Sequence, residues 1–151
     1  MIIRPSMPSD RDQVLRLTAR LGDFPVPPWR TAREIAEADH HLLLPALAGS
    51  PGEQALFVAE DAGRVLGFVF VAEREDYFTH ERQAHVEDLA LDPQGEGKGL
   101  ARRLMEAAES WARGRGHRRI TLNVWAQNTR AVGLYQRLGY QPETVHYLKL
   151  L

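Results

Sequence analysis

A mixed α/β fold follows from three features of this 151-residue chain. Strand-like and helix-like periodicities alternate along its length, an apolar run ends at Asp92-Pro93 just before a glycine-rich turn, and no linker, repeat or low-complexity stretch divides it. The periodicity reads as strand, two helices, three strands, helix, strand, helix, strand. That order builds one mixed sheet with helices on both faces.

Each element has a local cause. Residues 2–4 are a short edge strand, and Ser9-Asp10-Arg11-Asp12 gives a capping-box-like start to a helix that buries Val14, Leu15, Leu17, Thr18 and Leu21 and stops at Gly22. Asp23–Arg30 holds three prolines with Phe24 and Trp29, a rigid loop. Thr31-Ala32-Arg33-Glu34 caps a second helix with Ile35, Ala38 and Leu42 on one side, expected to fade by Pro45, and a turn is expected over Ala48–Glu53. Ala55–Glu60 and Arg64–Ala72 flank Asp61-Ala62-Gly63 as a hairpin, and residues 73–82 are a charged, aromatic loop. His85–Leu91 is the strand that feeds the glycine turn. From about Gly99 to Arg113, Leu100, Leu104, Ala107, Ala108 and Trp111 form one apolar stripe. Ile120–Trp125 is a strand, Asn128 caps a helix that ends at Gly139, and Thr144–Leu150 is a final strand.

Composition narrows the function classes. The length suits a single domain with its own core, and the net charge of −1 comes from charges of both signs spread along the chain. A nucleic-acid face should show as a basic stripe, and none is visible. Arg103, Arg113, Arg115, Arg118 and Arg119 form a local basic cluster that reads first as a solvated helix end and second as a contact for a 3′-phosphate. There is no cysteine, which excludes disulfides, thiolate catalysis and Cys-ligated zinc. No membrane span or leader is visible, and a cytoplasmic protein is expected. The six histidines have no tight ligand spacing, so no metal site is expected.

The turn Pro93-Gln94-Gly95-Glu96-Gly97-Lys98-Gly99 between a strand and a helix aims free backbone N–H groups, at the positive end of a helix dipole, at an anion. Its glycines let a bulky phosphate reach the backbone. A mononucleotide P-loop would need a hydroxyl after Lys98, where Gly99 stands. A dinucleotide fingerprint would need glycine where Arg102 stands. A nucleotide phosphate binder is therefore disfavoured.

Glu96-Gly97-Lys98-Gly99-Leu100-Ala101 resembles the acyl-CoA loop of the GNAT superfamily of N-acetyltransferases, with Glu96 in place of the usual Gln or Arg. A carboxylate beside a diphosphate is unfavourable, so Glu96 is expected to point to solvent. Asn128-Thr129-Arg130-Ala131-Val132-Gly133-Leu134-Tyr135-Gln136-Arg137-Leu138-Gly139-Tyr140 resembles the family's second signature, Asn-x-x-Ala-x-x-Leu-Tyr-x-x-Leu-Gly-Phe/Tyr. The resemblance covers nearly the whole chain. It implies a mostly antiparallel twisted sheet of six to seven strands with about four helices, and residues 1–151 as a single acyl-CoA-binding N-acetyltransferase domain. It implies acetyl-CoA as the acyl donor, direct transfer to a primary amine of a small molecule or a protein in a ternary complex, and room for a homodimer in which the apolar C-terminal strand takes part. The alternative is a non-catalytic acyl-CoA-binding or regulatory module.

Acetyl transfer needs the amine deprotonated, donors for a developing oxyanion, and a proton for the leaving thiolate. By resemblance Tyr135 is the acid at the sulfur, although by periodicity alone it reads as core beside Leu134 and Leu138. Glu87 is the candidate base, through a water, with Asp88 as its rival. Plain alternation puts Glu87, Leu89 and Leu91 on one face and Val86, Asp88 and Ala90 on the other, unless a bulge intervenes. Cofactor contacts are expected from the backbone of Leu89, Ala90 and Leu91, which would pair with pantetheine as an added strand, and from Gly97, Lys98, Gly99, Leu100, Ala101, Arg102 and Asn128. Asn123 stands where some family members carry an acid, and Trp125 reads as core. Phe24–Trp29, the helix from Thr31 and the loop Glu73–Arg82 are expected to wall the acceptor pocket. Glu34, Glu37, Asp39, Glu73, Glu75 and Asp76 make that region acidic, which suits a cationic amine.

Overall fold

The hairpin at the centre of the sequence is also the centre of the sheet. In the computed structural model, which describes residues 1–48 and 52–151, β2 (Gln54–Asp61) turns into β3 (Arg64–Glu75) through Ala62 and Gly63, both with positive φ. This is the primed turn whose twist matches paired strands. Around it the sheet runs β1-β2-β3-β4-β5, with β1 at Ile2–Pro5, β4 at Arg82–Leu91 and β5 at Ile120–Leu122. The first three pairings are antiparallel and β4–β5 is parallel.

Helices cover both faces. On one lie α1 (Arg11–Leu17), which continues as tighter turns to Gly22, and α2 (Ala32–Ala48), burying Val14, Leu17 and Leu43 against Leu56, Val58, Phe68, Phe70 and Ala90. On the other, α3 (Leu100–Gly114) buries Leu100, Leu104, Met105, Ala108 and Ala112 against Val69, Val71, Ala84 and Val86. The helix α4 (Thr129–Arg137) lies at the margin of that face and buries none of its residues.

Several sequence expectations change. The sheet has five strands, not six or seven, because Thr144–Leu150 forms no strand. Its pattern is strand-like, but the segment pairs with no strand among the described residues. The strand expected to reach Trp125 stops at Leu122, and β3 and β4 consume both ends of the expected 73–82 loop. At the start of α1 the carboxylate of Asp10, not of Asp12, accepts the Met7 N–H at 2.7 Å while taking 2.7 and 2.9 Å bonds from Arg4. α2 runs past Pro45 to Ala48, since Leu43, Ala46 and Leu47 pack on the core and carry the last turn across the missing N–H. Its buried stripe is Ile35 and Leu43, and Leu42 is exposed. The expected turn at 48–53 falls partly on residues 49–51, outside the described residues.

The entry to the glycine turn is held by charge. Buried Asp92 accepts the Gln94 N–H at 2.9 Å and ion pairs from Arg16 at 3.0 Å and Arg64 at 3.1 Å. The Gln94 amide first, then the two guanidiniums, hold its carboxyl down to about 2. The stability this contributes is complete above the ordinary aspartate value near 4 and is lost as pH falls towards about 2. Asp92→Ala is expected to cost about 2 kcal/mol at pH 7 and to remove part of the acid-unfolding slope, as read by urea melts between pH 2 and 7.

Candidate active site

The sheet opens between β4 and β5. Their ladder joins Ala84, His85 and Val86 to Ile120, Thr121 and Leu122 and goes no further, so β4 from Glu87 to Leu91 has no strand on that side. The register with β3 slips at the same place: Phe70 faces Asp88 while the next residue, Val71, faces Val86. Glu87 is thus the extra residue of a β-bulge. Past it the facing is reversed relative to plain alternation. Ala84, Val86, Leu89 and Leu91 pack on the α3 side, and Ala90 packs on the α1–α2 side. Val86 therefore does not share the face of Ala90, as strict period two had placed it.

Two cavities enter this split. The first, of about 400 Å³, is lined by Leu89, Ala90 and Leu91 of β4, by Glu96, Gly97 and Gly99 of the turn, by Leu100, Ala101 and Arg102 of α3, and by Asn128, Ala131, Leu134 and Tyr135 around α4. It gathers every expected cofactor residue except Lys98, which is exposed and outside the lining. Gly97 and Gly99 have φ of +71° and +72°, and a Cβ on either would meet no protein atom within 4 Å. Their open side is solvent space at the mouth of the turn. The N–H groups from Gly97 to Arg102 have no protein acceptor among the described residues. A row of free donors at a helix start suits an anion. Arg20, Arg102, Arg130 and Arg137 stand round it.

Glu96 does not point away to solvent. It bridges Arg20 at 2.8 Å and Arg130 at 2.9 Å. Burial pushes its carboxyl up, but Arg130 and then Arg20 more than reverse this and hold it below its ordinary value. The carboxylate is neutralised in place and ties the α1 end of the cleft to α4. Arg20 also donates to the Leu91 carbonyl at 3.1 Å and pairs with Asp23. Sequence reading missed Arg20, Arg130 and Arg137, and only Arg130 and Arg137 lay inside a recognised signature. Of the basic cluster read in the sequence as a solvated helix end, three arginines are spent on ion pairs away from the cleft: Arg113 on Glu109, Arg115 on Glu73 and over Trp111, and Arg119 on Asp76 and Glu81.

The second cavity, of about 320 Å³, lies between α2, β4 and the Asn123–Trp125 segment. Asp39, Leu42, Glu87, Asp88, Asn123, Val124 and Trp125 contribute to its walls. It shares Arg20, Leu89, Asn128, Ala131 and Tyr135 with the first cavity. Trp125 is not core. It is partly exposed, with its ring centroid 6.1 Å from that of Phe24. The 73–82 segment, expected at this pocket, lies elsewhere: Glu73 is held by Arg115, Arg82 and His117, and Asp76, Glu81 and Arg82 line a separate groove with Gly116–Arg119.

The carboxylates of this cavity differ sharply. Glu87 is in an ion pair with Arg74. Asp88 is buried, its Oδ2 has no hydrogen-bond partner among the described residues, and the carboxyl of Asp39 lies on the wall of the same cavity. Burial first, then the charges of Asp39 and Glu87, push Asp88 well up, and burial also pushes Asp39 up. The sequence signal for Asp39 was its place at i+4 in the stripe Ile35, Asp39, Leu43, Leu47, the only polar residue in it.

Tyr135 lies where the cavities meet, half-buried against Tyr140 with ring centroids 5.9 Å apart. Burial, with the Asp88 charge second, pushes its phenol up to about 12, so it stays protonated at any ordinary pH. Asn128 caps α4, its side chain accepting the Ala131 N–H at 3.2 Å.

The model of the Acetyltransferase (GNAT) family matches residues 17–140. The chain belongs to the GNAT family. A mycothiol acetyltransferase of Amycolatopsis mediterranei is 31% identical over 134 residues, 87% of this chain and 42% of that protein. The N-acetyltransferase YhfO of Bacillus subtilis, itself uncharacterised, is 31% identical over 97 residues, 63% of this chain and 65% of that one. This GNAT chain thus spans less than two thirds of the length of either relative. Its fold matches the aminoglycoside N-acetyltransferase AAC(6')-Iy in complex with CoA, with a TM-score of 0.70, 21% identity, and coverage of 99% of this chain and 100% of that one. No helix among the described residues is long and apolar enough to cross a membrane.

Two outcomes are expected of the site. Gly99→Glu, which puts bulk and negative charge into the cradle at a left-handed position, should weaken CoA binding at least tenfold by calorimetry; unchanged affinity would remove the cradle from cofactor binding. Asp88→Asn should stabilise the fold. In the parent the folded state keeps a proton that the unfolded chain gives up near pH 4, so stability falls as pH rises from there through the raised value of the pair. The variant should flatten that limb and gain on the order of 1–3 kcal/mol at pH 8 in urea melts.

Proposed function

We propose that this chain is an acetyl-CoA-dependent N-acetyltransferase that moves an acetyl group directly to a primary amine of a small, cationic acceptor. The observation that carries the reading is the junction of the two cavities at Tyr135. A basic cradle with unpaired N–H groups enters from one side, and an acidic, aromatic-walled cavity enters from the other. A donor and an acceptor held there would meet without an enzyme nucleophile, by proximity alone. The names of the relatives, mycothiol and aminoglycoside acetyltransferases, support a small polar acceptor.

The residues divide the work. The glycine-turn N–H groups, Leu100, Ala101 and the cleft arginines fit the diphosphate of acetyl-CoA, and the unpaired edge of Leu89–Leu91 fits its amide-bearing arm. Bound there, acetyl-CoA supplies the acetyl thioester. Between the two β4 carboxylates, Asp88 is the base in this reading, because the charge of Glu87 is already spent on Arg74. With both members of the pair ionised, Asp88 takes the proton of the acceptor ammonium, and Asp39 sets the pH at which that form appears. Tyr135 Oη keeps a proton to donate to the departing thiolate.

The test is release of free CoA thiol from acetyl-CoA across a panel of amines, a clean readout because the chain has no cysteine. Amine-dependent release is expected; tight CoA binding with no release on a broad panel would favour a binding module. Tyr135→Phe should lower kcat by about 10²–10⁴ with CoA affinity little changed, and an equal loss of both would end its role as acid. Asp88→Asn should abolish the rising limb of the kcat/KM profile against pH. Asp39→Asn removes a neighbouring negative charge, so Asp88 ionises more easily and the limb should move to lower pH; an unmoved limb would separate the pair from catalysis.

A further inference from the structure

We infer, on the placement of acetyl-CoA in the first cavity, that Glu96 is an internal competitor of the cofactor: its carboxylate holds the guanidiniums of Arg20 and Arg130, and the diphosphate of acetyl-CoA takes them over on binding. Four arginines line that cavity, but three of them already face a carboxylate. Arg102 is held by Glu106 at 2.9 Å, Arg20 by Glu96 at 2.8 Å and also by Asp23, and Arg130 by Glu96 at 2.9 Å. Only Arg137 has no acidic partner among the described residues. A diphosphate that enters gains little from these side chains unless a carboxylate gives one up.

The carboxylate stands where it must compete. The turn is pinned up to Glu96 and free beyond it: the Gly95 N–H donates to the Asp92 carbonyl at 2.8 Å and the Glu96 N–H to the Pro93 carbonyl at 3.3 Å, whereas the N–H groups from Gly97 to Arg102 have no protein acceptor among the described residues. Gly95 is packed so closely that a Cβ there would meet the Leu66 carbonyl oxygen at 2.8 Å. The Glu96 side chain therefore leaves from a fixed point one residue before the free donors, on the same cavity wall as Gly97 and Gly99. An anion on those donors draws on the same two guanidiniums. Burial would raise the Glu96 carboxyl, but Arg130 and Arg20 hold it below its ordinary value, so it stays charged at working pH and the competition is permanent.

Arg20 does not need Glu96 to stay in place. Its Nε donates to the Leu91 carbonyl at 3.1 Å and its Nη1 meets Asp23, so only the Nη2 edge is given to Glu96. Arg130 projects from the first turn of α4, which Asn128 caps independently. Neutralising Glu96 thus frees one edge of a guanidinium that two other acceptors still hold. Carboxylate and phosphate both make charge-assisted bonds to guanidinium, but the phosphate oxygens also meet the free N–H groups of the turn, so the exchange runs towards the cofactor. Acetyl-CoA and CoA carry the same diphosphate, and the competitor weakens both equally. That leaves the chemical step untouched, raises KM for the donor and shortens the stay of the product.

Calorimetry with CoA tests this without turnover. The isosteric Glu96→Gln should tighten CoA binding about tenfold, the worth of roughly one charge-assisted hydrogen bond, and Glu96→Ala should act in the same direction. Affinity should also fall more steeply with salt in either variant, because an unneutralised guanidinium then faces the phosphate. Adding Arg20→Gln to Glu96→Gln should remove the gain. In turnover, Glu96→Gln should lower KM for acetyl-CoA by a similar factor without raising kcat. Dephospho-CoA, which keeps the diphosphate and lacks the 3′-phosphate, should show the same gain; a gain confined to CoA would overturn the assignment to the diphosphate. If the parent binds CoA and Glu96→Gln binds it no tighter, Glu96 is a scaffold for the arginines and the competition alone is refuted. A parent that binds no CoA would overturn the cofactor placement and the competition together.

Discussion

Everything functional in this molecule depends on where the parallel pairing of β4 and β5 stops. A parallel ladder continued past Val86 would have closed the sheet, consumed the N–H and C=O groups of Leu89–Leu91, and left no space between α2 and α4. The bulge at Glu87 sits at that limit. An extra residue in one strand bends it and adds twist, which drives the ends of β4 and β5 apart. The same residue reverses the facing of the strand beyond it, so Leu89 and Leu91 pack towards α3 and Ala90 packs towards α1 and α2. One irregularity therefore opens the cleft and sets which side chains line it.

The two halves of the opening carry opposite electrostatics, which the overall charge of −1 conceals. Four arginines surround the glycine turn, and three carboxyls lie in the adjoining cavity. Glu96 shows how the basic half is kept in order. Left unpaired, Arg20 and Arg130 would repel each other across the mouth of the cleft; bridged by one carboxylate, they are held in position. Arg20, which also reaches the Leu91 carbonyl and Asp23, fixes the end of the α1 segment against β4.

Legibility followed the range of the cause. The Asn128 cap and the Ala62-Gly63 turn are each decided within a few residues, and the structure places them as the sequence indicated. Of the expected α3 stripe, Leu100, Leu104 and Ala108 are buried, while Met105 and Ala112 take the buried places expected of Ala107 and Trp111. The aspartate pair was not legible, because Asp39 and Asp88 come from elements far apart in the chain and only packing brings them together. Glu73 looked like an acceptor-pocket acid until Arg115 and His117, more than forty residues on, claimed it. Trp125 read as core because apolar character identifies what can be buried, not whether something is there to bury it. Thr144–Leu150 differs in kind: its alternation is unmistakable, yet a strand pattern becomes a strand only at an edge that receives it.

The fold departs from its own consistency in three places, and each departure has a chemistry. The N–H groups leading into α3 go without acceptors, which costs free energy in any state where nothing negative lies before them. Asp88 keeps a buried carboxyl oxygen with no partner and a second carboxyl against it, where a pair of apolar residues would pack more stably. The tail holds its largest apolar side chains in solvent. Sequences whose local choices otherwise agree with their fold concentrate such violations where something outside the chain resolves them. The kind of violation names the kind of partner: unpaired donors ask for an anion, paired acids for a cation, and exposed apolar side chains for an apolar surface. The first two meet at α4, which lines both cavities, so occupancy of either bears on the position of Tyr135.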